Sequence, residues 1–184
     1  MSAGAAKALT SSAPQNHFEL FGLAPAFGLD EAVLERAHRE IQSRVHPDRF
    51  AHAGDAERRA SLQWTTRVNE AYRTLKDPVL RAKHLLELHG VDVAFETNTQ
   101  MPTDFLLQQL ELREELESAV KRKDPAVLDA LRPTLHHQKK AVEREVRELV
   151  DVQKDYGAAA ELVRKLQFLD KLDAEIDAAY EEIE

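Results

Sequence analysis

The feature that most constrains the fold is a pair of helix-patterned stretches separated by the tripeptide His46-Pro47-Asp48. Before it, apolar residues from Val33 to Val45 recur about every 3.6 residues, and Asp30 is a favourable N-cap. A second helical pattern runs from about Asp55 to Lys76. Because proline disfavours helical geometry in the residue before it, the first helix should end at His46. The sequence therefore predicts an antiparallel helical hairpin with the tripeptide at its tip.

Shorter segments flank this hairpin. Phe18 and Phe21 are predicted to fill its core from a short helical turn, and Asp77-Pro78 should begin another short helix. Residues 1–16 are rich in alanine and serine and have no periodicity, which predicts a disordered leader. We expect residues 17–90 to form the first domain.

The second half of the chain predicts a three-helix bundle. Residues 91–102 lack helical patterning and should be a linker. Helices are then expected over about 103–123, 124–154 and 158–183, with Thr103 or Asp104 as the first N-cap. Pro133 should kink or break the second helix, and Gly157 should end it. The protein is thus predicted to be all-α, with residues 103–184 as its second domain.

Composition excludes several classes of function. The absence of cysteine rules out disulfides, thiolate nucleophiles and zinc fingers. Residues 1–76 carry 10 Lys and Arg against 9 Asp and Glu, whereas residues 77–184 carry 15 against 24, so nucleic-acid binding is not expected. No apolar run approaches the roughly 18 residues that span a bilayer. We expect a cytoplasmic protein that does not bind membranes.

The sequence offers no catalytic or metal-binding constellation. The neighbouring His136 and His137 would point about 100° apart on a helix and chelate poorly. The glutamate clusters are typical of solvated helix faces, and there is no glycine-rich phosphate loop. We therefore expect no metal, no cofactor and no enzymatic activity.

The tip of the hairpin has the chemistry of a docking loop. Pro47 stiffens the turn, so that His46 and Asp48 are presented in a fixed position at a low ordering cost. A carboxylate in that position suits a bidentate arginine on a partner. The alternative is an ordinary helix–helix turn, since proline and aspartate are common turn residues.

The surrounding residues favour the docking interpretation, because the region resembles a J domain. Arg36, Arg39 and Ile41 match a Lys/Arg-x-x-Arg-x-Leu pattern before the loop, and residues 69–78 match Asn-Glu-Ala-Tyr-x-x-Leu-x-Asp-Pro after it. His38 and Val45 depart from the tyrosines that many J domains carry at these packing positions.

The resemblance to J domains implies binding to a DnaK-type chaperone and stimulation of its ATP hydrolysis. Asp48 would pair with a chaperone arginine, while His46 and Pro47 would hold the loop. The basic docking face would consist of three residues of the preceding helix: Arg36, Arg39 and Arg44.

The helix that begins near Thr103 has two apolar sides. Phe105, Leu112, Leu116 and Val120 share one side, which should face the bundle. Nearly opposite lie three leucines and a glutamate: Leu106, Leu107, Leu110 and Glu114. Phe168, on the last helix, is predicted to lie off the core stripe and to be exposed, which is typical of an interaction site. Alternatively, the first half of the chain covers the leucines.

The runs 105–116, 163–172 and 18–23 resemble the HscB family, the J-type co-chaperones of iron–sulfur cluster assembly. The resemblance implies that the chaperone partner is of the HscA type and that the scaffold protein IscU is the client. IscU would contact Leu106, Leu107, Leu110, Glu111, Glu114 and Phe168. Ser118 departs from an expected acidic contact.

Two other hypotheses remain open. A general J protein would deliver unfolded clients to a DnaK-type chaperone, although such proteins often carry glycine-rich linkers, and this chain has six glycines in all. In a third hypothesis the acidic bundle is a structural or oligomerisation module. We expect a monomer, which would count against the third hypothesis.

Overall fold

The computed structural model describes residues 16–94 and 101–183. All regular elements within these ranges are helical, which confirms the predicted all-α class. The chain divides into two compact units between Leu88 and His89. Most of the predicted leader and residues 95–100 of the predicted linker lie outside the described residues. The domain boundaries inferred from the sequence therefore remain proposals.

Within its described residues, the N-terminal unit contains four α-helices, whose limits lie close to the sequence prediction. They are α1 (His17–Leu20), α2 (Glu31–Val45), α3 (Asp55–Lys76) and α4 (Pro78–Leu88). Asp30 caps α2, since its Oδ1 accepts hydrogen bonds from the amides of Ala32 and Val33 at 2.9 and 3.3 Å. Asp77 caps α4 in the same way, accepting from the amide of Leu80 at 2.9 Å. These local caps explain why the helix starts are readable from the sequence.

Asn16 differs from its prediction. The sequence assigns it to the leader, yet its side chain accepts a hydrogen bond from the amide of Glu19 at 2.9 Å and so caps α1. At the other end of α1, Gly22 adopts a φ of 67°, a left-handed conformation that glycine tolerates without strain. The first element that the structure describes is therefore a short, well-capped turn.

The core of the N-terminal unit joins all four helices. Phe18 and Phe21 are buried, as predicted. Val33, on the apolar face predicted for α2, is 39% exposed, because it lies at the margin of that face. Leu80 and Leu88 on α4 are 42% and 40% exposed. The central side chains are Phe18, Leu34, Val68, Ala71, Leu75, Ala82, Leu85 and Leu86.

Arg81 is a buried cation that the periodicity of α4 does not predict. Its Nε donates to the carbonyl of Leu75 at 2.7 Å, and its Nη1 donates to the carbonyl of Phe27 at 2.7 Å. Nη2 reaches the carbonyl of Lys76 at 3.3 Å. The guanidinium thus satisfies carbonyls at the C-terminal end of α3, which have no partner within the helix.

A pair of histidines joins α1 to α4. The rings of His17 and His84 are stacked with 4.3 Å between their centroids, and the amide of His17 donates to Nε2 of His84 at 3.3 Å. Burial, and then the charge of His17, lower the pKa of His84 from 6.5 to about 4. Burial is also the main reason that the pKa of His17 is lowered. The folded state therefore favours an uncharged His84.

We expect acid to destabilise the N-terminal unit through His84. Since its pKa is lower in the folded state than the ordinary 6.5, the unfolded state takes up protons first as the pH falls. The stability that neutral His84 contributes is present above about pH 6.5 and is lost towards pH 4. Melting temperatures followed by circular dichroism should fall over this range, and His84→Gln should reduce the fall by about 4 °C.

His136→Gln is the matched control for that measurement, because His136 is exposed on a helix of the other unit. It should leave the pH dependence of the melting temperature unchanged. Equal acid sensitivity of the His84→Gln variant and the unsubstituted chain would contradict the assignment.

The C-terminal unit is a three-helix bundle, as predicted. Its helices are α5 (Thr103–Arg122), α6 (Pro125–Arg147) and α7 (Tyr156–Ile183). Asp124 caps α6 as expected, accepting from the amide of Ala126 at 3.1 Å. The predicted cap of α5 was wrong. Thr103 is already helical, and Pro102 occupies the cap position without a side-chain hydrogen bond.

The second helix does not break at Pro133, and its end departs from its prediction. It runs unbroken across Pro133, and it then changes to a π-helical turn, Glu148–Gln153, which apolar periodicity does not reveal. Lys154, with a φ of 60°, ends that turn. Gly157 was predicted to end the helix but lies in the first turn of α7, where Asp155 accepts from the amide of Ala158 at 3.0 Å.

Ion pairs connect the helices of the bundle. Lys139 on α6 donates to Asp170 and Asp173 on α7 at 2.6 and 2.8 Å. Burial alone would lower the pKa of Lys139, but these two carboxylates outweigh it and raise the pKa. Arg113 on α5 makes two hydrogen bonds to Glu175 on α7, at 2.9 and 3.1 Å. The orientation of α5 against α7 is thereby fixed by a bidentate pair.

Candidate functional site

The loop between α2 and α3 is held from its first residue. His46 is the C-cap of α2, with φ −57° and ψ 132°, and the short 3-10 helix Pro47–Phe50 follows it. The carbonyl of Val45 accepts hydrogen bonds from the hydroxyls of Ser61 and Thr65 on α3, at 2.6 and 3.3 Å. The end of α2 is therefore fastened to α3 directly before the tripeptide.

Within the loop, His46 positions Asp48. The Nδ1 atom of His46 accepts a hydrogen bond from the amide of Asp48 at 3.3 Å and lies 3.4 Å from its Oδ2. The side chain of Asp48 is 90% exposed, whereas that of His46 is 47% exposed. Arg49 donates to the carbonyl of Ser43 at 3.1 Å, which closes the turn from its other side. The carboxylate is thus presented to solvent on a braced backbone.

The three arginines predicted to form a docking face are all exposed on α2. Arg39 pairs with Glu35 at 3.5 Å, and Arg44 pairs with Glu40. Arg36 makes no hydrogen bond or ion pair within the part of the chain that the structure describes. The three arginines are therefore exposed as predicted, but ion pairs partly neutralise their charge, which periodicity alone does not show.

The two departures from the J-domain pattern are packing residues, as expected. Val45 is buried, and His38 is half-buried between its neighbours. The ring of His38 stacks on Tyr72 with 4.0 Å between centroids, and its Nε2 lies 3.2 Å from Oδ1 of Asn69. Histidine thus fills a position between α2 and α3 that an aromatic side chain can occupy.

The leucine patch on α5 is exposed. Leu106, Leu107 and Leu110 are 42%, 56% and 54% exposed, while Phe105 and Leu116 on the opposite side are buried. Both predicted sides of this helix are therefore confirmed. The carboxylates of Glu111 and Glu114 are also exposed on α5.

Phe168 was predicted to be exposed but is half-buried. Its ring meets the buried ring of Phe105 edge-on, with 6.4 Å between centroids. Lys165 lies over the ring of Phe105, with its Nζ 5.0 Å from the ring centroid. An aromatic side chain beside the core stripe is long enough to lean onto the neighbouring helix. Phe168 of α7 thus packs on Phe105, the residue that directly precedes the leucine patch in sequence.

Comparison with known proteins decides the family. The chain is 50% identical over 173 residues to the co-chaperone protein HscB homolog of Burkholderia thailandensis, an alignment that covers 94% of this chain and 98% of that protein. The chain belongs to the HscB family of co-chaperones. Residues 101–177 also match the family described as the HSCB C-terminal oligomerisation domain.

Solved HscB structures share the architecture. The chaperone HscB from Vibrio cholerae has a TM-score of 0.81 at 37% identity, with 92% of this chain and all of that chain covered. The human co-chaperone protein HscB has a TM-score of 0.84 at 27% identity, with 91% and 83% covered. The N-terminal unit is accordingly a J domain, and the C-terminal unit is the HscB three-helix bundle.

One residue of the HscB bundle was missed by the sequence analysis. Gln109 is 98% buried on α5, and neither polar atom of its side chain has a hydrogen-bond partner among the described residues. Its spacing of four residues from Phe105 and seven from Leu116 is the signal that could have found it. The buried side of the helix that carries the leucine patch thus contains a side-chain amide that no described residue hydrogen-bonds.

The described residues of this HscB-family chain lack two further features. No group of three or more His, Asp or Glu side chains there is arranged to hold a metal ion. Among the same residues, no helix has the length and apolar character that crossing a membrane requires.

Proposed function

We propose that this chain stimulates the ATPase of an HscA/DnaK-type chaperone and delivers the scaffold protein IscU to it. The proposal is carried by one observation: an exposed carboxylate on a braced loop lies in one compact unit, and an exposed leucine patch lies in the other. A delivery protein needs two such contacts, because it must hold its client and engage the chaperone together.

The loop suits the chaperone contact. Asp48 is the most exposed member of the tripeptide, and its backbone amide is held by His46. A carboxylate ordered before binding can accept a bidentate arginine without a large entropy cost. The arginines of α2 would then meet an acidic surface of the chaperone, giving fast, salt-sensitive association.

The leucine patch suits the scaffold contact. Leu106, Leu107 and Leu110 form an exposed apolar centre, and Glu111 and Glu114 supply a charged rim. Phe168 supports this centre through Phe105. Ser118, where another acidic side chain was expected, is half-buried and adds no charge. This arrangement fits a folded client with an apolar surface.

The test is the steady-state ATPase rate of the HscA-type chaperone with this chain, with IscU and with both. We expect the rate with both proteins to exceed the sum of their separate effects several-fold, because the client and the J domain would reach the chaperone together. Stimulation by this chain that IscU does not increase would instead support the general J-protein hypothesis.

A further inference from the structure

The basic face of α2 carries its own counterions. At about 100° per residue, the side chains follow one another around the helix in the order Glu35, Arg39, Arg36, Glu40, Arg44. Each glutamate precedes its arginine by four residues, which is the favourable orientation for an ion pair on a helix. Three positive charges and two negative charges leave a net charge of +1 on this face.

We propose that Glu35 and Glu40 are specificity-determining residues that weaken and tune docking on the chaperone. This inference rests on the proposed function, since it concerns the same docking face. In the free chain, Glu35 and Glu40 form ion pairs with Arg39 and Arg44. Of the three arginines, only Arg36 therefore presents an uncompensated charge within the described residues. The chaperone must therefore compete for two of the three docking arginines.

Docking is opposed mainly by the negative charges of Glu35 and Glu40, and only slightly by the loss of their ion pairs. All four side chains of the two pairs are more than half exposed, and an exposed pair on a helix contributes little to stability. When an acidic partner surface approaches, however, Glu35 and Glu40 remain beside the arginines and face like charges at short range. Such juxtaposition opposes association and selects against surfaces that cannot also accommodate a carboxylate.

The consequence is a contact that is weak by construction. Affinity changes within one interface act mostly on the dissociation rate, so the two glutamates should speed release from the chaperone. The paired glutamates lower the attraction of the face while leaving Asp48, the orienting group of the loop, unaffected. Tuning by charge also makes the contact responsive to salt concentration.

The test is Glu35→Gln together with Glu40→Gln, assayed by ATPase stimulation over a range of co-chaperone concentrations without IscU. Glutamine keeps the helix propensity and removes both charges. We expect half-maximal stimulation at a concentration about three- to tenfold lower, with an unchanged maximal rate. The difference should shrink in high salt, where the screening length falls to a few ångströms.

Glu117→Gln is the matched control. Glu117 pairs with Lys121 four residues later at 3.6 Å and is similarly exposed, but it lies on α5 in the other unit. It should leave the half-maximal concentration unchanged. If the unsubstituted chain stimulates and the double variant needs the same or a higher concentration, Glu35 and Glu40 do not weaken docking. Absence of stimulation by the unsubstituted chain would overturn the proposed function itself.

Discussion

His46→Gln is expected to abolish ATPase stimulation and to leave IscU binding unchanged. The imidazole Nδ1 accepts a hydrogen bond from the Asp48 amide at 3.3 Å. Glutamine has no ring, so it cannot place an acceptor for that amide in the same rigid position. The carboxylate then loses its fixed position, and loss of a charged docking pair costs roughly 2–5 kcal/mol, or at least about 30-fold in affinity. Stimulation should fall to the basal rate of the chaperone, measured at a concentration that saturates with the unsubstituted chain.

The chain offers a closely matched control for this substitution. His52 is exposed six residues further on, so His52→Gln makes the same chemical change outside the tripeptide. It should preserve stimulation. The separation of the two sites would be refuted if His46→Gln, while still folded by circular dichroism, also lost IscU binding.

The second large effect is expected from Leu107→Ala combined with Phe168→Ala. Leu107 is the most exposed leucine of the patch, and Phe168 packs edge-on against Phe105, which precedes Leu106 in sequence. Truncating two apolar anchors of an interface costs about 2 kcal/mol or more for each, or about 4 kcal/mol together, so IscU affinity should fall at least several hundred-fold. Stimulation of the chaperone by the variant alone should persist. Sedimentation velocity with and without IscU measures the loss of the complex.

The same experiment addresses oligomeric state. We propose that the free chain is a monomer of 20.8 kDa, although the family matched by residues 101–177 is described as an oligomerisation domain. A larger species in the absence of IscU would support the oligomerisation hypothesis for the bundle.

Leu62→Ala is the control for the leucine patch. Leu62 is 55% exposed on α3, so it matches Leu107 in type and exposure but lies in the J domain. It should leave IscU binding intact. Normal IscU binding by the double variant would reassign the patch to another role, such as a contact between the domains.

The helix limits were largely predictable, because they depend on neighbours in sequence. Asp30, Asp77 and Asp124 each accept an amide two or three residues later, so a short motif contains all of the interaction. The start of α5 was not predictable in this way, since no side chain caps it. The π-helical turn also escaped, because its hydrogen-bond pattern leaves no mark in composition.

The side chains that escaped prediction depend on distant partners. Arg81 is buried because the carbonyl of Phe27, 54 residues earlier, lies within 2.7 Å of its guanidinium. Phe168 is half-buried because Phe105 reaches it from another helix. Periodicity gives the direction of a side chain but not the shape of the helix opposite.

The sequence predicted the exposure of several candidate site residues but not the ion pairs that they form. The sequence located the loop, the arginines and the leucines, and the structure leaves the leucines and Asp48 exposed. The sequence did not predict that Glu35 and Glu40 form ion pairs with two of the arginines. Exposed ion pairs depend on side-chain rotamers, which no sequence pattern specifies. The assignment of these residues to particular partners stays a prediction.

The carbonyl of Val45 accepts hydrogen bonds from Ser61 and Thr65, which lie 16 and 20 residues further on in α3. The order of the loop therefore depends on this part of α3. Fraying of the first turns of α3 on heating would release this carbonyl and disorder the loop before the unit as a whole unfolds. The scaffold contact proposed for the bundle does not involve this carbonyl, so it should persist at that temperature. Mild heat would then leave a chain that binds the scaffold protein without engaging the chaperone, so that it withholds the scaffold instead of delivering it.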